Sequence, residues 1–246
     1  MIIDKVESKI STFLYIIKEV NMKIAGLDLS ITSSGCVVME LDNKFNVINI
    51  ERHGFCKTLK QQTKSPDMVY YNLDDFNNFY ERYEFFNNHL MEWCKDCEYI
   101  AVEDYAYDAK GFVFDLAEFE GNIKMNLWRR GKTLRFYPPG THKKFFTGHG
   151  DCHKLLPYET YLKYTGVKFD ISDLPPVVDD KKGAMPTSDI LDAYALCELL
   201  RYELIVKNDK KALSGLTKKQ AEVFTTKSKT SPQGLIELPW DIKGAS

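Results

Sequence analysis

The sequence predicts an α/β fold in which a mixed five-stranded β-sheet is flanked by helices. Three apolar segments joined by short polar turns come first, which is typical of an antiparallel meander. After them, helical and strand-like segments alternate, and this order favours a sheet with helices on both faces and parallel fourth and fifth strands. The 246 residues are 44% hydrophobic, so the chain can bury one sizeable core with extensions.

The first strand is predicted at residues 23–29, where an apolar run ends on Asp28. A Ser/Thr/Gly turn leads to the second strand at 35–41, and an Asp-Asn-Lys turn leads to the third at 45–51. A carboxylate flanked by apolar residues on a strand is unfavourable unless a metal ion or a base lies beside it. Asp28 therefore marks a candidate site, and the alternative that it only hydrogen-bonds the hydroxyl groups of the turn stays open.

The later elements follow from apolar periodicity and from proline positions. Pro138 and Pro139 end the fifth strand because proline has no N–H for a sheet. The predicted elements are a helix at 69–93, the fourth strand at 98–104, a helix at 111–130, the fifth strand at 133–137, and helices at 158–165 and 187–206.

Two segments fall outside this domain of residues 22–206. Residues 1–21 have helical apolar spacing and are predicted to form an N-terminal helical extension. Residues 207–246 are predicted to be a flexible basic tail or a partner-binding appendage, because 207–229 carries seven lysines against two acids.

The charge is distributed unevenly although the net charge is only −2. Residues 67–120 hold fourteen acids against three bases, and residues 121–154 hold eight bases against one acid. This contrast indicates either one basic face for a polyanion or a solvated face without a ligand. No apolar run approaches the ~18 residues of a membrane span, and no secretory signal is visible.

Six scattered cysteines are typical of reduced thiols in a cytosolic protein, so a cytoplasmic location is expected. Cys94 and Cys97 have the CxxC spacing of zinc ligands, and His149, Cys152 and His153 would complete such a site. The two groups belong to different elements, so ordinary thiols are the favoured interpretation.

Four acids end or begin predicted elements and carry the candidate chemistry. Asp28 and Glu103 end strands, and Asp189 and Asp192 are spaced to share one face of the last helix. Four such acids at one edge would repel one another unless cations intervene, and oxygen ligands suit Mg²⁺ or Mn²⁺. By themselves, Asp189 and Asp192 also fit a helix cap and a first-turn acid.

The motifs together resemble the RuvC family of Holliday-junction resolvases, which have a ribonuclease H-like fold. The resemblance runs from about residue 23 to 204 and rests on DLSITSSG at Asp28–Gly35, strand-ending Glu103, a helix with Gly121, DxxDAxA from Asp189, and HKKFFTGHGDCHK at 142–154. It implies a crossover junction endodeoxyribonuclease that acts as a homodimer and makes paired nicks in branched DNA.

The same resemblance implies the roles of individual residues. Asp28, Glu103, Asp189 and Asp192 would be catalytic and would bind two Mg²⁺ per active site, with Mn²⁺ as a substitute. Lys154 would stabilise the phosphate in the transition state. The residues implied for DNA binding are Lys143, Lys144, Gly148, Gly150, Arg129, Arg130, Tyr105 and Tyr107.

The sequence departs from the family after Asp28, where Leu29-Ser30 replaces Pro-Gly. The family's junction-wedging aromatic is matched only by Tyr105 and Tyr107, which would equally pack on the next helix. Other nucleases acting on flaps, branched DNA or RNA–DNA hybrids remain an alternative. More distant alternatives are an actin-like or sugar-kinase-like ATPase and a DNA-binding scaffold without catalysis.

Overall fold

The computed structural model describes residues 21–57, 65–105, 113–164, 169–227 and 234–244. Nearly all of the predicted N-terminal extension therefore lies outside the described residues, as does Tyr107. The strands are β1 (Met22–Asp28), β2 (Gly35–Leu41), β3 (Val47–Lys57), β4 (Met68–Tyr71), β5 (Cys97–Glu103) and β6 (Thr133–Tyr137).

These strands form one mixed sheet in the order β4-β3-β2-β1-β5-β6. The β1, β2 and β3 strands pair antiparallel, and β5 and β6 continue the sheet in parallel on the other side of β1. This is the predicted arrangement. The sheet has one strand more than expected, because β4 pairs in parallel with the end of β3.

The prediction of a single helix over residues 69–93 is wrong at its beginning. Residues Met68–Tyr71 form β4 and Leu73–Asp75 form a 3₁₀ turn, so the helix begins only at Phe79. Asn78 explains this boundary, since its side chain accepts a hydrogen bond from the backbone N–H of Glu81 as an N-cap. The β-branched and aromatic residues before it favour a strand.

The helices cover both faces of the sheet, as expected. They are α1 (Phe79–Trp93), α2 (Val113–Arg129), α3 (Thr141–Thr147), α4 (Leu155–Lys163), α5 (Thr187–Asn208), α6 (Lys218–Thr225) and α7 (Gly234–Glu237). One buried cluster joins α1 and α2 to the sheet, and a second lies under α5 with contributions from α3 and α6. Within the described residues, no helix is both long enough and apolar enough to cross a membrane.

Helix α5 packs against β1 and β2 without intervening side chains. A methyl group on Gly26 would lie 2.2 Å from the Ala193 carbonyl oxygen, and one on Gly35 would lie 2.2 Å from the Asp189 carbonyl oxygen. This close contact fixes the helix end that carries Asp189.

The described part of residues 207–246 is not a flexible tail. Val223 and Phe224 on α6 and Leu235 on α7 are buried. Arg135 on β6 donates to the Pro239 carbonyl oxygen at 2.8 Å, and Leu134 forms an isolated bridge with Ile242. The prediction of a flexible tail rested on the many lysines and did not recognise Val223, Phe224 and Leu235 as residues that pack on the core.

Candidate active site

The carboxyl ends of two neighbouring strands bring the first two acids together. Strands β1 and β5 are parallel, with Leu27 opposite Val102, so Asp28 and Glu103 follow at the same edge of the sheet. Asp189 and Asp192 lie in the first two turns of α5, which begins at Thr187 and packs on β1 and β2. The four predicted acids therefore come from three elements that meet at one edge.

The electrostatics of Asp28 reflect this convergence. Burial raises the pKa of Asp28 well above its usual range, and the negative charges of Asp192, Asp189 and Glu103 raise it further in that order. Burial and Asp192 also raise the pKa of Asp189 to about 6, against a hydrogen bond from Ser33. Nearby acids thus contribute to the raised pKa values of both Asp28 and Asp189, as expected of carboxylates gathered to hold a cation.

The polar turn after β1 holds Asp189 and not Asp28. Ser33 Oγ donates to Asp189 Oδ2 at 2.5 Å, while the Ser30 and Ser34 side chains bond within the turn. Among the described residues no turn hydroxyl hydrogen-bonds Asp28, so the Asx-turn alternative for this acid is wrong. Ser33 was missed because nothing in the sequence pairs it with a helix more than 150 residues away.

His142 is the second residue that sequence analysis missed. Its fully buried ring lies on α3, with Nδ1 3.7 Å from Glu103 Oε1 and Nε2 3.6 Å from Asp192 Oδ1. Neither nitrogen is within hydrogen-bond distance of a partner among the described residues. A buried imidazole between two carboxylates is an unsatisfied donor-acceptor group, which a bound cation or water would complete. Its place beside Lys143 was the signal available in the sequence.

Two lysines complete the charge distribution around Asp192. Lys143 Nζ lies 3.3 Å and Lys154 Nζ 3.8 Å from Asp192 Oδ2. Burial by itself would raise the pKa of Asp192, but His142, Lys143 and Lys154 lower it overall. Conversely, burial opposes the charge of Lys143, yet Asp192, Glu103 and Asp28 raise its pKa. Lys143, predicted to contact DNA, thus lies within the acid cluster.

The Gly148 turn differs from the expectation that its backbone N–H groups hold phosphates. The Gly148 N–H donates to the Lys144 carbonyl oxygen at 2.9 Å, and the His149 N–H donates to Thr147 Oγ1 at 3.1 Å. Gly150 packs against the backbone of Gly140, whose N–H donates to Glu103 Oε1. These glycines shape the turn, and Gly148 has a positive φ of 83° that favours glycine.

Arg129 and Arg130, two further residues predicted to bind DNA, are not brought to the acids. Arg129 and Arg130 precede β6, whose first residue pairs with Tyr99, whereas the acid edge lies at the other end, where Tyr137 pairs with Glu103. The net positive charge of residues 121–154 did not show that Arg129 and Arg130 come before β6 while the acids lie beyond its last residue. Tyr105 lines a cavity together with Asp28 and Glu103. It also packs on α2, with Lys124 Nζ 3.8 Å from its ring centre, as the packing alternative predicted.

The donor set has the chemistry of a site for hard divalent cations. Asp28 is near enough to Asp192, Asp189 and Glu103 for their charges to raise its pKa, and the nitrogens of His142, which lack hydrogen-bond partners, add a further polar group. Among the described residues, however, no three His, Cys, Asp or Glu side chains already surround a common point as metal ligands do.

The cysteines form a separate buried group. Cys36 Sγ lies 4.0 Å from Cys94 Sγ, Cys97 is also buried, and Cys152 lies apart after α3. Burial and neighbouring thiols raise the pKa values of Cys94 and Cys97, which keeps both protonated. The described residues therefore give no support to a zinc site.

Comparison with known proteins confirms the fold. The yeast mitochondrial Holliday junction resolvase Ydc2 superposes with a TM-score of 0.51 at 12% identity, covering 77% of this chain and 82% of that one. Thermus thermophilus RuvC gives 0.47 at 19% identity over 76% and 96% of the two chains. The fowlpox virus resolvase, solved with Holliday junction DNA, gives 0.37 at 13% identity over 75% and 99%.

No protein-family model and no curated protein sequence matches the chain. The structural likeness establishes the predicted ribonuclease H-like fold with its mixed sheet and flanking helices.

Proposed function

We propose that this chain is a structure-selective, metal-dependent endodeoxyribonuclease that resolves four-way DNA junctions by paired nicks. The observation that carries the proposal is the meeting of Asp28, Glu103, Asp189 and Asp192 at one sheet edge, with two lysines beside Asp192. The yeast protein that shares the fold is itself a Holliday junction resolvase.

In the proposed site, the four acids would hold two Mg²⁺ ions, and Mn²⁺ is expected to substitute for them. Divalent ions bound there would supply a nucleophilic water and charge stabilisation at the scissile phosphate. Ser33 would keep Asp189 oriented through its hydrogen bond, and His142 would keep Glu103 and Asp192 at their mutual distance.

The lysines would act on the phosphate itself. Lys154 is about half exposed, so its ammonium group can turn from Asp192 toward a bound phosphate and stabilise negative charge in the transition state. Lys143 is mostly buried and stays charged because the acids raise its pKa. It would limit repulsion between the acids and the DNA backbone.

Branched DNA is the proposed partner, and a homodimer is the proposed active form. A two-fold symmetric dimer presents two identical sites to a junction with matching symmetry, which is the simplest way to make paired cuts. A nuclease acting on flaps or RNA–DNA hybrids would use the same site and is the second candidate, because the ribonuclease H-like scaffold hosts several activities.

The test compares a four-way junction with a linear duplex, a flap and an RNA–DNA hybrid, each incubated with Mg²⁺. The parent protein is compared with Asp28→Asn and with Asp74→Asn, a control acid exposed before α1. We expect the parent and the control to cut the junction selectively, and Asp28→Asn to bind the junction without cutting it.

Coordination of the two cuts is read from a plasmid that extrudes a cruciform. Paired nicks within one complex linearise the plasmid, whereas independent nicks leave a nicked circle. Selective cutting of flap or hybrid would move the function to the second candidate. Absence of cutting of every substrate by the folded protein would contradict the nuclease proposal, and tight ATP binding would favour the ATPase alternative.

A further inference from the structure

We propose that Lys218 and Lys219 on α6 bind DNA phosphates and extend the junction-binding surface beyond the catalytic domain. This inference rests on the proposed function and names a contact that the resemblance, which ends near residue 204, does not cover. It starts from the Gly148 turn, where sequence analysis expected a phosphate to be held.

The backbone of that turn offers little to an anion. The N–H groups of Gly148 and His149 are both used within the turn, at 2.9 and 3.1 Å. A phosphate that approaches this surface therefore needs donors from side chains. Lysine supplies such donors as a point charge with three N–H groups.

Helix α6 places a lysine at this point. A methyl group on Gly148 would lie 3.3 Å from Lys219 Cδ and 3.9 Å from Lys219 Nζ, so the lysine side chain lies directly over the glycine. Lys219 is 71 residues further along the chain than Gly148. Lys219 thus places a positive charge beside the turn in which the N–H groups of Gly148 and His149 are already hydrogen-bonded.

The position of α6 is fixed by packing on its other face. Phe224 is fully buried, and its ring meets that of Phe145 on α3 at 5.6 Å. Thr217 and Gln220 form a capping box at the helix start, and Glu222 pairs with Lys144 at 3.2 Å. These contacts order the backbone of α6, so a phosphate contact made by its exposed side requires no further ordering of the backbone.

The charges of α6 are arranged for an external anion. Lys218 and Lys219 are exposed and form no ion pair with any residue in the described ranges. Lys144 and Lys143 continue the positive charge along α3 toward Asp192, so a DNA strand leaving the catalytic acids would follow a line of lysines to α6. Glu222 partly neutralises the charge of Lys144. Lys218 and Lys219 therefore attract a DNA phosphate more strongly than Lys144 does.

The chain also provides a matched control. Lys210 and Lys211 form an equal pair of adjacent lysines in the 3₁₀ turn after α5, and Lys210 pairs with Glu237 at 2.5 Å. This turn follows the end of α5 opposite to Asp189, about 30 Å away along the helix. Lys218→Ala/Lys219→Ala and Lys210→Ala/Lys211→Ala therefore change the net charge equally at different places.

The experiment measures junction affinity in EDTA by fluorescence anisotropy, from about 50 to 200 mM salt. Each phosphate contact contributes about 0.9 to the slope of log affinity against log salt. We expect Lys218→Ala/Lys219→Ala to lower the magnitude of the slope by about 1.8. The ratio of the affinity at about 50 mM salt to the affinity at about 200 mM salt should then be roughly tenfold smaller in this variant than in the parent.

Two results would overturn the inference: a slope equal to that of the parent, or the same loss in the Lys210→Ala/Lys211→Ala control, which would indicate a general charge effect. Circular dichroism confirms that each variant is folded. Failure of the proposed function is distinguishable from failure of this inference. A parent protein that never cuts the junction, or that does not prefer it to other DNA, refutes the proposed function. The slope of its DNA binding still tests the role of α6.

Discussion

Replacing Asp189 with Asn tests whether the gathered acids store unfavourable free energy in the metal-free protein. Burial and Asp192 raise the pKa of Asp189 from 3.8 to about 6. Each pKa unit corresponds to about 1.4 kcal/mol, so ionised Asp189 costs about 3 kcal/mol of folding free energy at neutral pH. Asn has nearly the same volume and still accepts the hydrogen bond from Ser33. We therefore expect Asp189→Asn to be more stable than the parent.

The gain must depend on pH in a defined direction. Between the two pKa values the folded protein holds a proton on Asp189 that the unfolded chain has lost, so the stability due to this group falls as pH rises through about 6. The advantage of Asp189→Asn should therefore be below about 1 kcal/mol near pH 4 and approach about 3 kcal/mol above pH 7. Asp192 has a lowered pKa and therefore the opposite trend. Loss of the Asp189 charge also removes one of the causes that raise the pKa of Asp28, which acts in the same direction as the stabilisation at neutral pH.

The assay is urea unfolding in EDTA at a series of pH values, with Asp74→Asn as the exposed control acid. The control should change the free energy of unfolding by no more than about 0.5 kcal/mol at any pH. Mg²⁺ should stabilise the parent more than the variant, because binding to the folded state adds stability in proportion to affinity. The reasoning would be refuted if Asp189→Asn were less stable than the parent at neutral pH. It would also be refuted if the difference in the free energy of unfolding between the two proteins were the same at every pH.

Glu203→Gln should cost about 3–5 kcal/mol of unfolding free energy, because it leaves Arg135 as a buried charge without its main partner; urea unfolding measures this, and a loss below about 1 kcal/mol would contradict it. Gly35→Ala should abolish Mg²⁺-dependent cleavage, since the methyl group displaces the start of α5 at Asp189; unchanged cleavage would show that this contact is dispensable. His142→Phe, which keeps the ring volume without nitrogens, should weaken Mg²⁺ binding in calorimetry, whereas His142→Gln should retain part of it; equal affinities would exclude a role for the ring nitrogens.

The sequence predicted those parts of the fold and candidate site that depend on local pattern. Apolar runs and short turns located β1, β2 and β5, and parallel pairing of β1 with β5 then places Asp28 beside Glu103. In each case, a short stretch contained the information.

The remainder depends on contacts between distant segments. Helix α3 has only seven residues between two glycines, too few for apolar periodicity, so His142 was not recognised as part of the site. Arg129 and Arg130 carry the right charge but stand at the opposite sheet edge from Glu103. The lysines of 207–229 predicted a flexible basic tail or a partner-binding appendage, whereas in the structure the buried ring of Phe224 anchors α6.

The bridge between Leu134 and Ile242 has a consequence for the assembly of this sheet. Strand β6 is the outermost strand, and outermost strands offer unpaired N–H and C=O groups to other chains. Here Leu134 exchanges hydrogen bonds with Ile242, and Asp241 accepts one from the Phe136 N–H at 2.8 Å. The segment around Ile242 thus covers backbone groups of β6 that could otherwise pair with the sheet of another chain. Shortening the chain to the part that resembles resolvases would expose this edge and favour insoluble protein.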